Sequence, residues 1–288
     1  MNGINDSSRP KIGDYLLVRL DASYSDYTRK LIESRLAYSD DAVHDFRVAS
    51  RRLRTLVSLI DSLCPSEQAT EMTGSIRRRL KMFGPLRDVQ VQMNTIKNML
   101  WDFPQLEVYY DELNRLEDQM KRELREKMST FDTAEFDGII FEMKQSAAFD
   151  RGGLDSAADK LNESLDAARR KVELRIESAR ADRPESIHRV RLAFKKFRYL
   201  TEHVAKLINF GSNEYEFLKK LQTIMGEIQD NIVLRKSLED YADSREAEAI
   251  TRLPQIVRLL EKDYEEKAGQ FENIARQFRE LPPPILKL

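Results

Sequence analysis

Two short stretches of this chain concentrate side chains suited to holding anions. Residues 43–57 read VHDFRVASRRLRTLV and residues 187–201 read IHRVRLAFKKFRYLT. At about 100° per residue on a helix, His44, Arg47, Arg51 and Arg54 fall in one narrow stripe, and His188, Arg191, Lys195 and Arg198 reproduce it. Arg52 and Lys196 adjoin the stripes. Leu53, Leu56 and Leu59, with Phe197 and Leu200 in the second stretch, mark the opposite, apolar face. Surface helices usually neutralise such rows with Asp or Glu three or four residues away. The second stretch has five Lys/Arg and no acid; the first has four Arg and one acid, Asp45, off the stripe. Arg offers forked donors to phosphate oxygens and Lys adds point charge. The chemistry indicated is anion binding, with His44 and His188 heading the two ridges. The third histidine, His203, has no counterpart and is assigned to packing.

The two stretches are copies. They lie 144 residues apart, and five of fifteen positions are identical: His44/His188, Arg47/Arg191, Ala49/Ala193, Arg54/Arg198 and Leu56/Leu200. A second match follows each. FGPLRD at 83–88 parallels MGEIQD at 225–230, at an offset of 142. Arg77, Arg78 and Lys81 precede the first, and Lys219 and Lys220 the second. Arg77, Lys81, Gly84 and Asp88 share one helix face by spacing, as do Lys219, Gly226 and Asp230. Gly84 and Gly226 read as close-packing positions, and Asp88 and Asp230 as anchors for ridge arginines. All four are structural in this reading.

Other chemistry finds little support. There is no GxxxxGK[ST] and no GxGxxG. No carboxylate or histidine cluster stands at ligand spacing, so no metal, cofactor or catalytic residue is expected. Cys64, beside Pro65 at a helix end, has no nearby His to activate it. No aromatic residues interleave the ridges, which disfavours nucleic acid. Trp101 and the tyrosines are assigned to core or rim.

Helices must carry these ridges. Amphipathic periodicity predicts helices over about 12–36, 42–63 (N-capped at Asp40 and Asp41), 67–100, 104–129 and, more weakly, 133–149. Gly84-Pro85 interrupts the third, since a proline removes a helical hydrogen bond. Arg151-Gly152-Gly153 marks the boundary between two units, 1–150 and 151–288. Further helices follow at about 154–182, 185–208, 213–241 and 244–280. No strand is expected. The architecture expected is all-α: duplicated four-helix units, the first with an extra short helix.

Composition agrees. The 288 residues include only 10 Gly and 9 Pro, where average usage gives about 20 and 14. That excludes collagen and argues against an all-β or Gly-rich nucleotide fold. Hydrophobic residues at 41% allow real cores, against wholesale disorder. One cysteine excludes an internal disulfide. No apolar run approaches a membrane span, and the first residues lack a secretory pattern, so a cytoplasmic protein without membrane partners is expected. The net charge is −1, so any attraction for polyanions lies in how charge is arranged.

His-x-x-Arg-x-x-x-Arg-Arg-x-Arg at 44–54, its copy at 188–198, GPLRD at 84–88 and GEIQD at 226–230 resemble the CHAD (conserved histidine α-helical domain) pattern. The resemblance covers about 10–285. It implies two four-helix bundles related by a pseudo-twofold axis, with a basic groove or cavity between them that binds inorganic polyphosphate. It also implies association with polyphosphate granules. Carried over by position, the ligand-binding residues are His44, Arg47, Arg51, Arg52, Arg54, His188, Arg191, Lys195, Lys196 and Arg198, with Arg77, Arg78, Lys81, Lys219 and Lys220 beside them. Many members carry a triphosphate-processing tunnel domain, for which these residues leave no segment, so no enzyme is expected. The competing functions are a metal-dependent phosphohydrolase acting on polyphosphate or triphosphate, and a protein-binding scaffold.

Overall fold

The computed structural model describes residues 12–129, 134–149, 154–244 and 253–287. Their α-helices are α1 (Ile12–Ala37), α2 (Asp40–Leu63), α3 (Glu67–Met82), α4 (Gly84–Met99), α5 (Glu107–Ser129), α6 (Ala134–Phe149), α7 (Leu154–Glu177), α8 (Pro184–His203), α9 (Ser212–Ser244) and α10 (Leu253–Gln277). A single 3₁₀ turn, Pro104–Leu106, precedes α5. Among the described residues there are two isolated β-bridges and no strand, so the fold is all-α. The proposed boundary at 151–153 lies outside the described residues. No helix among the described residues is long and apolar enough to cross a membrane.

The α2 helix shows how sequence sets element and burial together. Val43, Phe46, Ala49, Leu53, Leu56, Val57 and Ile60 recur at helical spacing, and all are buried. The start differs from expectation. Ser39 is the N-cap, its hydroxyl accepting from the Ala42 N–H at 3.4 Å. Asp40 and Asp41 occupy the first turn, where the helix dipole favours acids. Asp40 is thereby left to bind Arg87 and Asn94 of α4. In α8, Pro184 stands in the first turn, where its missing N–H costs nothing. Val190, Phe194, Phe197 and Leu200 form its buried seam. The helix stops at His203, short of the expected 208, with the Val204 N–H bonded to the Leu200 carbonyl.

The interruption at Gly84-Pro85 is a full break between α3 and α4 at Phe83. Its counterpart runs straight through: α9 is continuous over Gly226, because Glu227 stands where the first copy has Pro85 and keeps its N–H.

Packing follows the same order in both halves. The α1–α2, α2–α3 and α4–α5 neighbours are matched by α7–α8, α8–α9 and α9–α10. Helices α2 and α8 also meet each other. One buried apolar cluster runs through both halves. In the first half it includes Phe46, whose ring lies 4.6 Å from Phe83 and 5.6 Å from Tyr27. In the second it includes Phe197, 5.6 Å from Phe278. A smaller cluster joins α4 and α5 to α9 and α10 through Val89, Ile96, Leu113, Leu234, Leu238 and Leu260. The Tyr109 and Ser237 hydroxyls bond across it at 2.6 Å. Between these two apolar seals, α2, α4, α8 and α9 leave a polar cleft.

Arg79 of α3 is fully buried. It donates to the Tyr27 hydroxyl at 2.7 Å and lies 4.0 Å from the Phe136 ring centroid on α6. The short helix α6 thus covers a cation that would otherwise be costly to bury.

Because Phe46 sits under the α2 ridge with no solvent exposure, Phe46→Ala is expected to cost about 3–5 kcal/mol of stability. Chemical denaturation of the two proteins measures it; a loss under about 1 kcal/mol would mean that α2 is not anchored through this ring.

Candidate functional site

The cleft has a volume of about 390 Å³. Its lining comes in pairs that the sequence repeat relates: His44 and His188, Arg47 and Arg191, Arg51 and Lys195, Arg87 and Gln229, Asp88 and Asp230, Val91 and Val233. Leu192 completes it. Five Lys or Arg side chains therefore face two carboxylates.

Arg47, Arg87 and His188 are held from behind. Arg47 Nη1 donates to the Leu80 carbonyl at 2.8 Å, at the end of α3. The two glycines lie against the arginine pair: a Cβ on Gly84 would stand 3.7 Å from Arg47 Nη1, and one on Gly226 3.9 Å from Arg191 Nη2. Those are ordinary contact distances, so a methyl fits and a branched side chain takes the guanidinium's place. Arg87 is held by Asp40. His188 Nδ1 donates to Gln229 Oε1, which fixes its tautomer and leaves Nε2 as the other ring nitrogen. Arg191 Nε is buried with no hydrogen-bond partner among the described residues.

The two aspartates do not clamp the arginines as expected. Among the described residues neither Asp88 nor Asp230 has an ion pair within 4.0 Å. Each acts through space on its neighbours. Desolvation raises the Asp88 carboxyl above its ordinary value, outweighing Arg47, Arg51 and Arg87. Desolvation also raises Asp230, against Arg191, Arg87 and Lys195.

Crowding acts on the cations. Burial, with help from Arg51, lowers the Arg47 guanidinium to about 10. Burial lowers Arg191 too, with Asp230 opposing and Arg51 adding to the shift. The largest effect is on Lys195. Burial, followed by Arg191, Arg51 and Arg47, pushes its ammonium down to about 6, with Asp230 opposing. Burial and Arg87 lower His44. The cleft is thus a set of cations pressed together with too few anions.

Other residues proposed from sequence lie elsewhere. Arg52 and Lys196 sit about 100° round the helix from Arg51 and Lys195 and line two separate cavities. Arg54, one turn beyond Arg51, is half-buried, and Arg51 and Arg77 both act on its charge. Arg198 does not join the cleft: its Nε bonds Glu202 Oε1 at 2.7 Å. Arg77, Arg78, Lys81, Lys219 and Lys220 are exposed outside it. His203 is buried as a packing residue, donating through Nε2 to the Arg52 carbonyl at 2.9 Å. Trp101, assigned to core or rim, is 92% exposed, because it stands past the end of α4 where no helix covers it.

Arg87, Val91, Gln229 and Val233 escaped the sequence reading. The signal was present, since Arg87 and Val91 stand three and seven residues after Gly84, on the face already drawn through Asp88.

A comparison with curated protein sequences finds no match. Among solved structures, the chain is similar to the CHAD domain from the plant Ricinus communis: 17% identity, 99% of this chain and 98% of that one covered, TM-score 0.74. It is also similar to PptA from Streptomyces chartreusis: 14% identity, 94% and 100% covered, TM-score 0.64. At these identities the likeness is one of fold. The model of the CHAD domain matches residues 22–239, a span that contains both basic ridges and the whole cleft, and the chain belongs to the CHAD family.

Proposed function

We propose that the cleft binds inorganic polyphosphate and that the protein is a binding module, not an enzyme. The observation that carries this is the pairing of Arg47 with Arg191 and of Arg51 with Lys195 in one cleft where none of the four has an ion-pairing acid among the described residues. Uncompensated cations crowded at this density are relieved by a ligand that brings several negative charges at short spacing. A chain of phosphates does so, and its oxygens match forked guanidinium donors. Membership of the CHAD family supports the same reading. The halves 1–150 and 151–288 are then the duplicated parts of one module, related by an approximate twofold axis through the cleft. A cytoplasmic protein of this kind would be found at polyphosphate granules.

Replacing Arg47 and Arg191 together by Ala removes one donor fork from each half. If each contact is worth about 1.5–3 kcal/mol, affinity for long polyphosphate should fall by two or more orders of magnitude, read by calorimetric titration. Wild-type affinity should also drop steeply with salt, by analogy with counterion release from nucleic acids. A flat salt response places binding elsewhere. Incubation with polyphosphate and Mg²⁺ or Mn²⁺ is expected to leave chain length unchanged; shortening on a gel would overturn the binding-only reading.

Lys195 gives a pH signature. Its ammonium titrates at about 6 in the empty cleft, so at pH 7 it is mostly neutral. An anion favours the charged form, so binding at pH 7 takes up a proton. Affinity therefore rises as pH falls toward about 6 and levels off below it, where the free lysine is already charged, while internal phosphates stay ionised. Lys195→Met should make the affinity profile between pH 8 and 5 shallower and reduce the proton uptake, measured in buffers of different ionisation heat, with His44 supplying the remainder. An unchanged profile would show that Lys195 does not face the ligand.

A further inference from the structure

The two ridges match as far as Arg51 and Lys195 and then diverge. Arg54 and Arg198 are repeat equivalents. Arg198 is neutralised by Glu202, one turn on, at 2.7 Å. The other Glu202 oxygen takes Arg52 Nη2 at 3.3 Å. The position equivalent to Glu202 in the first half is Ser58, which carries no charge. Arg54 accordingly has no ion pair among the described residues. Its near charges are Arg51, in the cleft, and Arg77 on α3. Arg77 is exposed and likewise has no ion pair among the described residues. The end of α3 borders the cleft, because Arg47 bonds the Leu80 carbonyl there. On the first-half side, free cations therefore continue outward from the cleft. On the second-half side the corresponding link is occupied by an acid.

We propose that a polyphosphate chain longer than the cleft leaves it on one side only, over Arg54 and Arg77 along α3, and not over Arg198 toward α9. This rests on the reading that the cleft binds polyphosphate. The fold supplies two equivalent exits and Glu202 closes one. Tripolyphosphate occupies the cleft alone, whereas a long chain gains the contacts beyond it.

The test compares tripolyphosphate with long-chain polyphosphate on the full chain. Arg54→Glu with Arg77→Glu should weaken long-chain binding about tenfold or more, from two partly exposed ionic contacts, and leave tripolyphosphate within about twofold. Arg54→Gln with Arg77→Gln should act in the same direction and guards against misfolding of the charge-reversed protein. Lys219→Glu with Lys220→Glu, an equal charge change beside the closed exit, should alter neither ligand. Glu202→Gln frees Arg198 and should raise long-chain affinity several-fold without changing tripolyphosphate. If the Lys219/Lys220 variant weakens long chains as much as the Arg54/Arg77 variant, both exits are used and the proposal fails. If the Arg54/Arg77 variants weaken tripolyphosphate equally, no separate exit exists. If the unaltered protein binds long chains but Arg47→Ala with Arg191→Ala has no effect, the cleft reading itself fails.

Discussion

The structure depends on holding like charges together. Arg51 acts on both Arg47 and Arg191, and all three act on Lys195; with no ion-pairing acid among the described residues they would separate if the helices were free to move. At a few ångströms, repulsion between unit charges costs about 1 kcal/mol in water and several times more in a partly desolvated site. The opposing force comes from the other faces of the same helices. Phe46, Leu53, Phe194 and Phe197 are fully buried behind the ridges, and burying such side chains contributes roughly 1.5–3 kcal/mol each. The apolar seam and the basic ridge are two faces of one periodicity, and the first makes the second tolerable. Lys195 relieves part of the remaining repulsion by favouring its neutral form.

Helix phase decides which cations share the cleft. Arg51 and Arg52 are adjacent in sequence and about 100° apart on the helix, so one faces the cleft and the other a separate cavity with Glu202 and His203. The helical pattern, the two ridges and the pairing of Arg47 with Arg191 were legible because each rests on spacing within one element or on a repeat. Asp88 was legible as a neighbour of the ridge arginines, but as their anchor and not as a cleft-lining carboxylate without an ion pair among the described residues. Pairing depends on where another helix's side chains end, which spacing does not encode. The same limit hid the Glu202 carboxylate between Arg198 and Arg52, and the hold of Asp40 on Arg87. Trp101 misled for a related reason: its size argues for burial, yet burial needs a neighbour, and among the described residues none covers it where the chain turns.

Between the two sequence-matched sets of helices, shape is kept more closely than charge. The cavities flanking α2 and α8, of about 330 and 250 Å³, are lined by corresponding positions. Arg19, Ala22, Ser23 and Asp26 on α1 match Ser164, Ala167, Ala168 and Lys171 on α7 at an offset of 145. Ala49, Arg52, Glu202 and His203 match Ala193, Lys196, Ser58 and Leu59 at 144. The buried leucines between them agree as well, Leu16 with Leu161 and Leu20 with Leu165. The correspondence extends the sequence repeat from the ridges to the cavities beside them. Interiors are close-packed, so a core position tolerates little change in volume. The polar lining of an open cavity carries no such constraint. Arg19 against Ser164, Asp26 against Lys171 and Glu202 against Ser58 show where that freedom was used. Sequence-matched helices can therefore present unlike surfaces: Glu202 neutralises Arg198, while Ser58 offers Arg54 no such partner.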